Sequence, residues 1–168
     1  MRPVSIAAGL ALTAALAAPT KAQLLTHKDL SLATALTIAT TAADTCKARG
    51  DRVSVTVVGR NGEVIVQLRG DDASPHTIEN SQRKAYTART FRIPSSEFAQ
   101  RIKDSPTSGQ LRLSGIVATA GGLPIKVGNE VVGAVGVSGS PTKDGTQGGE
   151  RDAACGQAGL DKVAEQLK

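Results

Sequence analysis

The apolar positions of this chain change their period from one stretch to the next. Leu30, Ala33, Leu36, Ala39 and Ala43 recur at three- and four-residue spacing, which predicts a helix with one persistent apolar face. Thr26 with Asp29 three residues later predicts its start, a capping-box spacing with Asp in place of the usual Glu. Gly50 predicts its end, because a left-handed C-cap is easiest for glycine. The period then falls to two. Val53, Val55 and Val57 alternate with Ser54 and Thr56, which predicts a strand with one buried face. Arg60-Asn61-Gly62 supplies a hairpin turn, and residues 63–69 form the returning strand. After the turn-rich Gly70-Asp71-Asp72-Ala73, Ser74 and Pro75 predict the cap and first residue of a second helix, reaching about Thr90. Pro94 stops that helix. Ser95-Ser96-Glu97 opens a short third one carrying Phe98 and Ile102, and residues 103–109 read as a loop.

The remainder is punctuated by glycine. A strand is predicted within 111–119, a turn at Gly121-Gly122, a strand over 123–127, a turn at Gly128-Asn129 and a strand over 130–137. A loop over 138–149 leads to a last helix from about Glu150 to the end, with Ala153, Leu160, Val163 and Leu167 on one side. The order is helix, two strands, two helices, three strands, helix. That order favours a single α+β domain, an antiparallel sheet covered by helices.

The N-terminus changes this picture. Met1-Arg2 gives a positive start, Val4 to Ala18 is almost wholly apolar, and Thr20-Lys21-Ala22 precedes Gln23. These are the three regions of a signal peptide over 1–22, leaving a mature domain over 23–168 that is exported, periplasmic or extracellular. The apolar run falls short of the roughly 20 residues a bilayer span needs, so no stable membrane insertion is expected. Formal net charge is +5, but two of the positive charges, Arg2 and Lys21, lie in the leader. Tyr86, Phe91 and Phe98 are the sole aromatics. The basic run Arg83, Lys84, Arg89, Arg92 therefore reads as a solvated helix face, and nucleic acid is excluded as a partner. Two cysteines, Cys46 and Cys155, in an exported chain predict a disulfide; with no CxxC and no Cys/His cluster, zinc is excluded.

Gly133-Ala134-Val135-Gly136-Val137-Ser138-Gly139 lacks the GxxxxGK[ST] pattern of a phosphate loop. Its small residues read instead as places where a helix packs on the strand. Ser74, His76 and Asp72 form a triad only on paper, because triads are defined by spatial geometry.

Read in order, several segments carry a family resemblance. They are Val55-Thr56-Val57-Val58 with Asn61-Gly62, Arg69-Gly70-Asp71-Asp72-Ala73, Lys84-Ala85-Tyr86-Thr87-Ala88, Gly121-Gly122-Leu123-Pro124-Ile125, the 133–139 segment, and 152–159. The chain resembles the GlcG/HbpS family of small heme-binding proteins, which shares its fold with the C-terminal domain of PduO-type corrinoid adenosyltransferases. The resemblance runs from about Leu25 to Leu167 and rests on the order and spacing of the motifs. It implies a profilin-like five-stranded antiparallel sheet with helices on both faces, and a symmetric homo-oligomer. It also implies binding of heme or a related tetrapyrrole, for sequestering, sensing or oxygen-dependent degradation. One position departs from the pattern: the family usually has an Asp after the first strand, where this chain has Gly59.

Heme iron takes His, Cys thiolate, Met or Tyr as an axial side chain. Met1 leaves with the leader and a bridged Cys46–Cys155 pair is unavailable, so His27, His76 and Tyr86 remain. His76 falls at the start of the second helix, where the helix dipole disfavours an imidazolium, and neutral imidazole is the ligand form. Arg83, two turns along the same helix, Lys84 and Arg69 are the candidate partners for the propionates. No catalytic residue is assigned. The alternative is a cofactor-free oligomeric accessory or interaction module.

Overall fold

The computed structural model describes residues 23–168; the leader expected at 1–22 lies outside the described residues. Helix α1 (Leu32–Ala48) starts five residues later than Thr26 predicts. Its N-cap is Ser31, whose hydroxyl accepts the Thr34 N–H. The reason is a long-range one. Arg60 donates to the Lys28 carbonyl at 2.6 Å and to the Asp29 carboxylate at 3.3 Å, holding that segment outside the helix and taking Asp29 away from any capping role. The buried face of α1 is Ala35, Ile38, Ala39, Ala42 and Cys46; Ala33 and Leu36 of the predicted stripe face solvent.

Strands β1 (Ser54–Val58) and β2 (Val64–Arg69) pair as the predicted hairpin. Its turn is longer than two residues: Gly59 N–H donates to Glu63 O, and Gly62 alone takes the positive φ (83°). Helix α2 (His76–Phe91) follows, with Pro75 already in helical dihedrals, then α3 (Ser95–Lys103) with Phe98 and Ile102 buried. Strands β3 (Gly122–Val127) and β4 (Glu130–Ser138) form the second hairpin around Gly128-Asn129. Helix α4 (Gly148–Lys162) starts two residues before Glu150 and gives way to a 3-10 turn over Ala164–Leu167 instead of running to the end.

Among the described residues the sheet has four strands in the order β2-β1-β4-β3, all neighbours antiparallel, where the family resemblance implies five. The strand expected within 111–119 does not form. A 3-10 turn (Gly109–Arg112) opens the segment. Its later backbone is satisfied by side chains of α2, not by a ladder: Arg83 donates to Ile116 O at 2.9 Å, and Thr87 Oγ1 accepts the Val117 N–H at 2.9 Å.

Helices α1 and α4 pack together on one face of the sheet, over Val55, Val57, Val66, Ile125, Val135 and Val137. Cys46 of α1 and Cys155 of α4 are bridged there, with Cα atoms 5.6 Å apart. Helix α2 covers the other face. The serine and threonine of β1 point toward it and are buried, not solvated as the alternation predicts. Ser54 hydrogen-bonds Thr77 at 2.8 Å and Thr56 hydrogen-bonds Ser81 at 2.7 Å, so each buried hydroxyl has a partner. Gly136 explains why the glycine-rich strand is glycine-rich. A Cβ there would lie 2.1 Å from Ser81 O and 2.5 Å from Ala85 N, both α2 backbone, so only glycine lets the helix come this close.

Candidate functional site

The stretch that links β2 to α2 is tightly tied. Gly70 N–H donates to Val53 O, Ala73 N–H donates to Gly70 O, and Arg69 donates to the Ala73 carbonyl. These bonds fix the position of the first turn of α2, where His76 is exposed. Beside this connection lies a groove of about 590 Å³ between the C-terminal half of α1 and the end of β2. Ala43, Val53 and Leu68 give it an apolar floor. Lys47, Arg52 and Arg69 face Asp44, Asp51, Asp71 and Asp72 around its walls. Asp51 is already committed: Arg151 reaches both of its carboxylate oxygens at 2.8 Å.

The predicted site residues are therefore only partly brought together. His76 and Arg69 share the β2–α2 connection. Arg83 lies two turns along α2, half-exposed, donating to Ile116 O and 3.6 Å from Glu79. Lys84 points the other way. Its Nζ is buried, donating to Asp152 at 2.8 Å and to the Val137 carbonyl at 3.0 Å, while the other oxygen of Asp152 accepts the Ser140 N–H. This inward triad joins α2, β4 and α4, and Lys84 has no surface ammonium to offer a propionate. Tyr86 is also structural, its ring lying against Gly62 and Gly115. No hydrogen bond joins Ser74, His76 and Asp72 among the described residues.

At the position where the family pattern has Asp, Gly59 leaves a space that Glu63 fills. A Cβ at Gly59 would fall 2.1 Å from Glu63 Oε1, and the second carboxylate oxygen accepts the Asn61 N–H at 2.9 Å. A carboxylate thus occupies the place, supplied from four residues further on.

The donor set can be tested against a heme. The groove has the volume of a small-molecule site, yet none of its lining residues is His, Tyr, Met or Cys. The remaining imidazoles, His27 and His76, are both exposed. Exposed imidazoles suit a tetrapyrrole lying on the surface. They do not suit one enclosed within a single protomer.

Residues 30–161 match the model of the family described as Haem degrading protein HbpS-like. The chain is similar to a Streptomyces reticuli HbpS double mutant in its crystal structure, with 35% identity and a TM-score of 0.76 over 86% of this chain and 96% of that one. It is 30% identical over 86 residues to Protein GlcG of Escherichia coli strain K12, covering 51% of this chain and 63% of that protein. The crystal structure of a PduOC:heme complex shares the fold, at 21% identity and a TM-score of 0.71, over 80% of this chain and 94% of that one.

Proposed function

The chain belongs to the HbpS-like family, and from that premise we propose that it binds heme at its surface, with the His76 imidazole as axial ligand to the iron. The observation that carries this reading is the placement of His76. It is exposed on a helix start that the Arg69–Ala73 and Gly70–Val53 hydrogen bonds hold in place. Rigid support of this kind lets a lone imidazole ligate without first being ordered. Arg69 and Arg83 stand on either side of it along the chain and are the cations for the propionates; Lys84, turned inward, is not one. Bound heme would supply redox and oxygen chemistry of its own. The residues of this chain bind it, orient it and leave one axial side open. Sequestering or sensing follows from binding alone; degradation would need oxygen on that open side.

Export fits the same reading. The Cys46–Cys155 bridge suits an oxidising compartment, where a protein that meets free heme would be found. We further propose a homo-oligomer. Leu32 and Leu36 stand one turn apart on the outward side of α1, 58% and 40% exposed, with Leu24 and Leu25 also bare. Exposed leucines one turn apart on a helix are the kind of apolar surface that a second copy of the chain covers.

A second reading has one observation in its favour. The groove of about 590 Å³ beside the β2–α2 connection is lined by no iron ligand, as a cofactor-free interaction module would require. Hemin titration read at the Soret band separates the two. Saturable binding that His76→Ala weakens by about tenfold or more, with His27→Ala unchanged, supports His76 ligation. Absence of saturable binding in the wild type supports the cofactor-free module.

A further inference from the structure

The end of α2 remote from His76 carries a cluster that the heme reading does not use. Arg89 lies in the last turn of α2. Arg92, at its C-cap, is held in the left-handed conformation at φ 60°. With Arg60, they line a cavity of about 460 Å³ whose other walls include Val127, Val131 and Glu130 of the β3–β4 hairpin. The sequence presents Arg89 and Arg92 as part of a solvated basic face. The structure instead half-buries Arg89 and aims it at a shared cavity.

The three guanidinium groups are not equivalent. Arg60 is satisfied, donating to Glu130 at 2.7 Å, to Asp29 and to the Lys28 carbonyl. It also neutralises Glu130, the carboxylate on the cavity wall. The side chains of Arg89 and Arg92 make no hydrogen bond or ion pair among the described residues. The Nε of Arg89 is buried without an acceptor, as is that of Arg151, but Arg151 is paired with Asp51 through its terminal nitrogen and Arg89 is not paired at all. A buried, unpartnered donor on a charged group is costly and calls for an explanation. Burial, and then the charges of Arg92 and Arg60, hold Arg89 below its usual range, with the Glu63 carboxylate opposing them.

We propose that the cavity between the C-terminal end of α2 and the β3–β4 turn is a binding site for a small oxyanion, a carboxylate or phosphate group, held by Arg89 and Arg92. The planar guanidinium fork matches both anions, and two adjacent forks set a preference for a ligand with more than one anionic oxygen. Val127 and Val131 add apolar wall, so a carboxylate on a short carbon body is accommodated as well as bare phosphate. The site is separate from the proposed heme ligand, because α2 places His76 and Arg89 about 20 Å apart along its axis.

Calorimetric titration of the protein with citrate and with inorganic phosphate tests this, at physiological ionic strength, where the Debye length is about 8 Å and diffuse attraction is screened. Saturable binding of either probe, one per chain, weakened about tenfold by Arg92→Gln and by Arg89→Gln, supports the site. Citrate alone would identify a carboxylate ligand, and phosphate alone a phosphate group. Because Arg89 is half-buried, the exposed Arg92 carries the test if Arg89→Gln does not fold. Absence of saturable heat with both probes, or equal affinity in Arg92→Gln, overturns the proposal. Hemin binding should be unchanged in Arg92→Gln; a parallel loss there would place the arginines in the heme site and overturn the claim of a second one.

Discussion

Replacing Lys84 by methionine removes the ammonium that Asp152 faces and leaves a carboxylate buried among β4, α2 and α4. Breaking a buried pair from one side costs about 3–5 kcal/mol, because the surviving charge keeps its desolvation penalty without its partner. Lys84→Met should therefore lower the denaturation free energy by that order. A loss below about 1 kcal/mol in a urea titration would contradict the account of the triad. At this scale the sequence is a poor guide. Lys84 sits beside Arg83 in an ordinary basic run, and its partner lies 68 residues further on. The neighbouring glycines are the available signal. A Cβ at Gly122 would lie 2.2 Å from the Lys84 carbonyl, so the helix is pressed onto the sheet here and its lysine has nowhere to go but inward. His76 is the opposite case: Ser-Pro before it marks a helix start locally, and it is found exposed at that start.

Between elements, Arg60 is the main tie, reaching from the β1–β2 turn to the segment before α1 and to the first residue of β4. Its hydrogen bond and charge hold the Glu130 carboxyl below its ordinary value of 4.5. A folded-state value that is depressed contributes stability present above the unfolded value and lost as pH falls through the folded one. Glu130→Gln should accordingly flatten the stability profile below about pH 4.5 and leave its neutral-pH limb unchanged in slope. A mutant whose acid limb retains the wild-type slope would remove Arg60–Glu130 from the account. Both hairpins were legible because Asn61-Gly62 and Gly128-Asn129 are local turn chemistry. Two other features were not, for the same physical reason. The start of α1 is decided by Arg60, some thirty residues away, and the fifth strand is pre-empted by Arg83 and Thr87 of α2. Each outcome depends on a side chain outside the segment it shapes.

For the whole molecule, the covalent link between α1 and α4 closes a loop of 109 residues, worth about 4–5 kcal/mol in the chain-entropy model. Reduction should lower the melting temperature by well over ten degrees, and thiol labelling of the unfolded, unreduced protein should find no free cysteine. Two reactive thiols per chain would contradict the bridge. The subunit number follows from light scattering, where a monomeric mass at micromolar concentration would contradict the oligomer. The antiparallel sheet with helices on both faces was visible in the order of the motifs, though with one strand too many; the surface proposed for heme depends on the tertiary placement of one histidine. The most direct test of that placement is an amide NMR spectrum of the protein with and without hemin, whose paramagnetic iron broadens nearby resonances. With His76 as the ligand, broadening centres on the β2–α2 connection and the first turn of α2, around Ala73, His76 and Thr77, and fades along α2 past Arg83. Broadening centred on His27 or Tyr86, or none at saturating hemin, would contradict it.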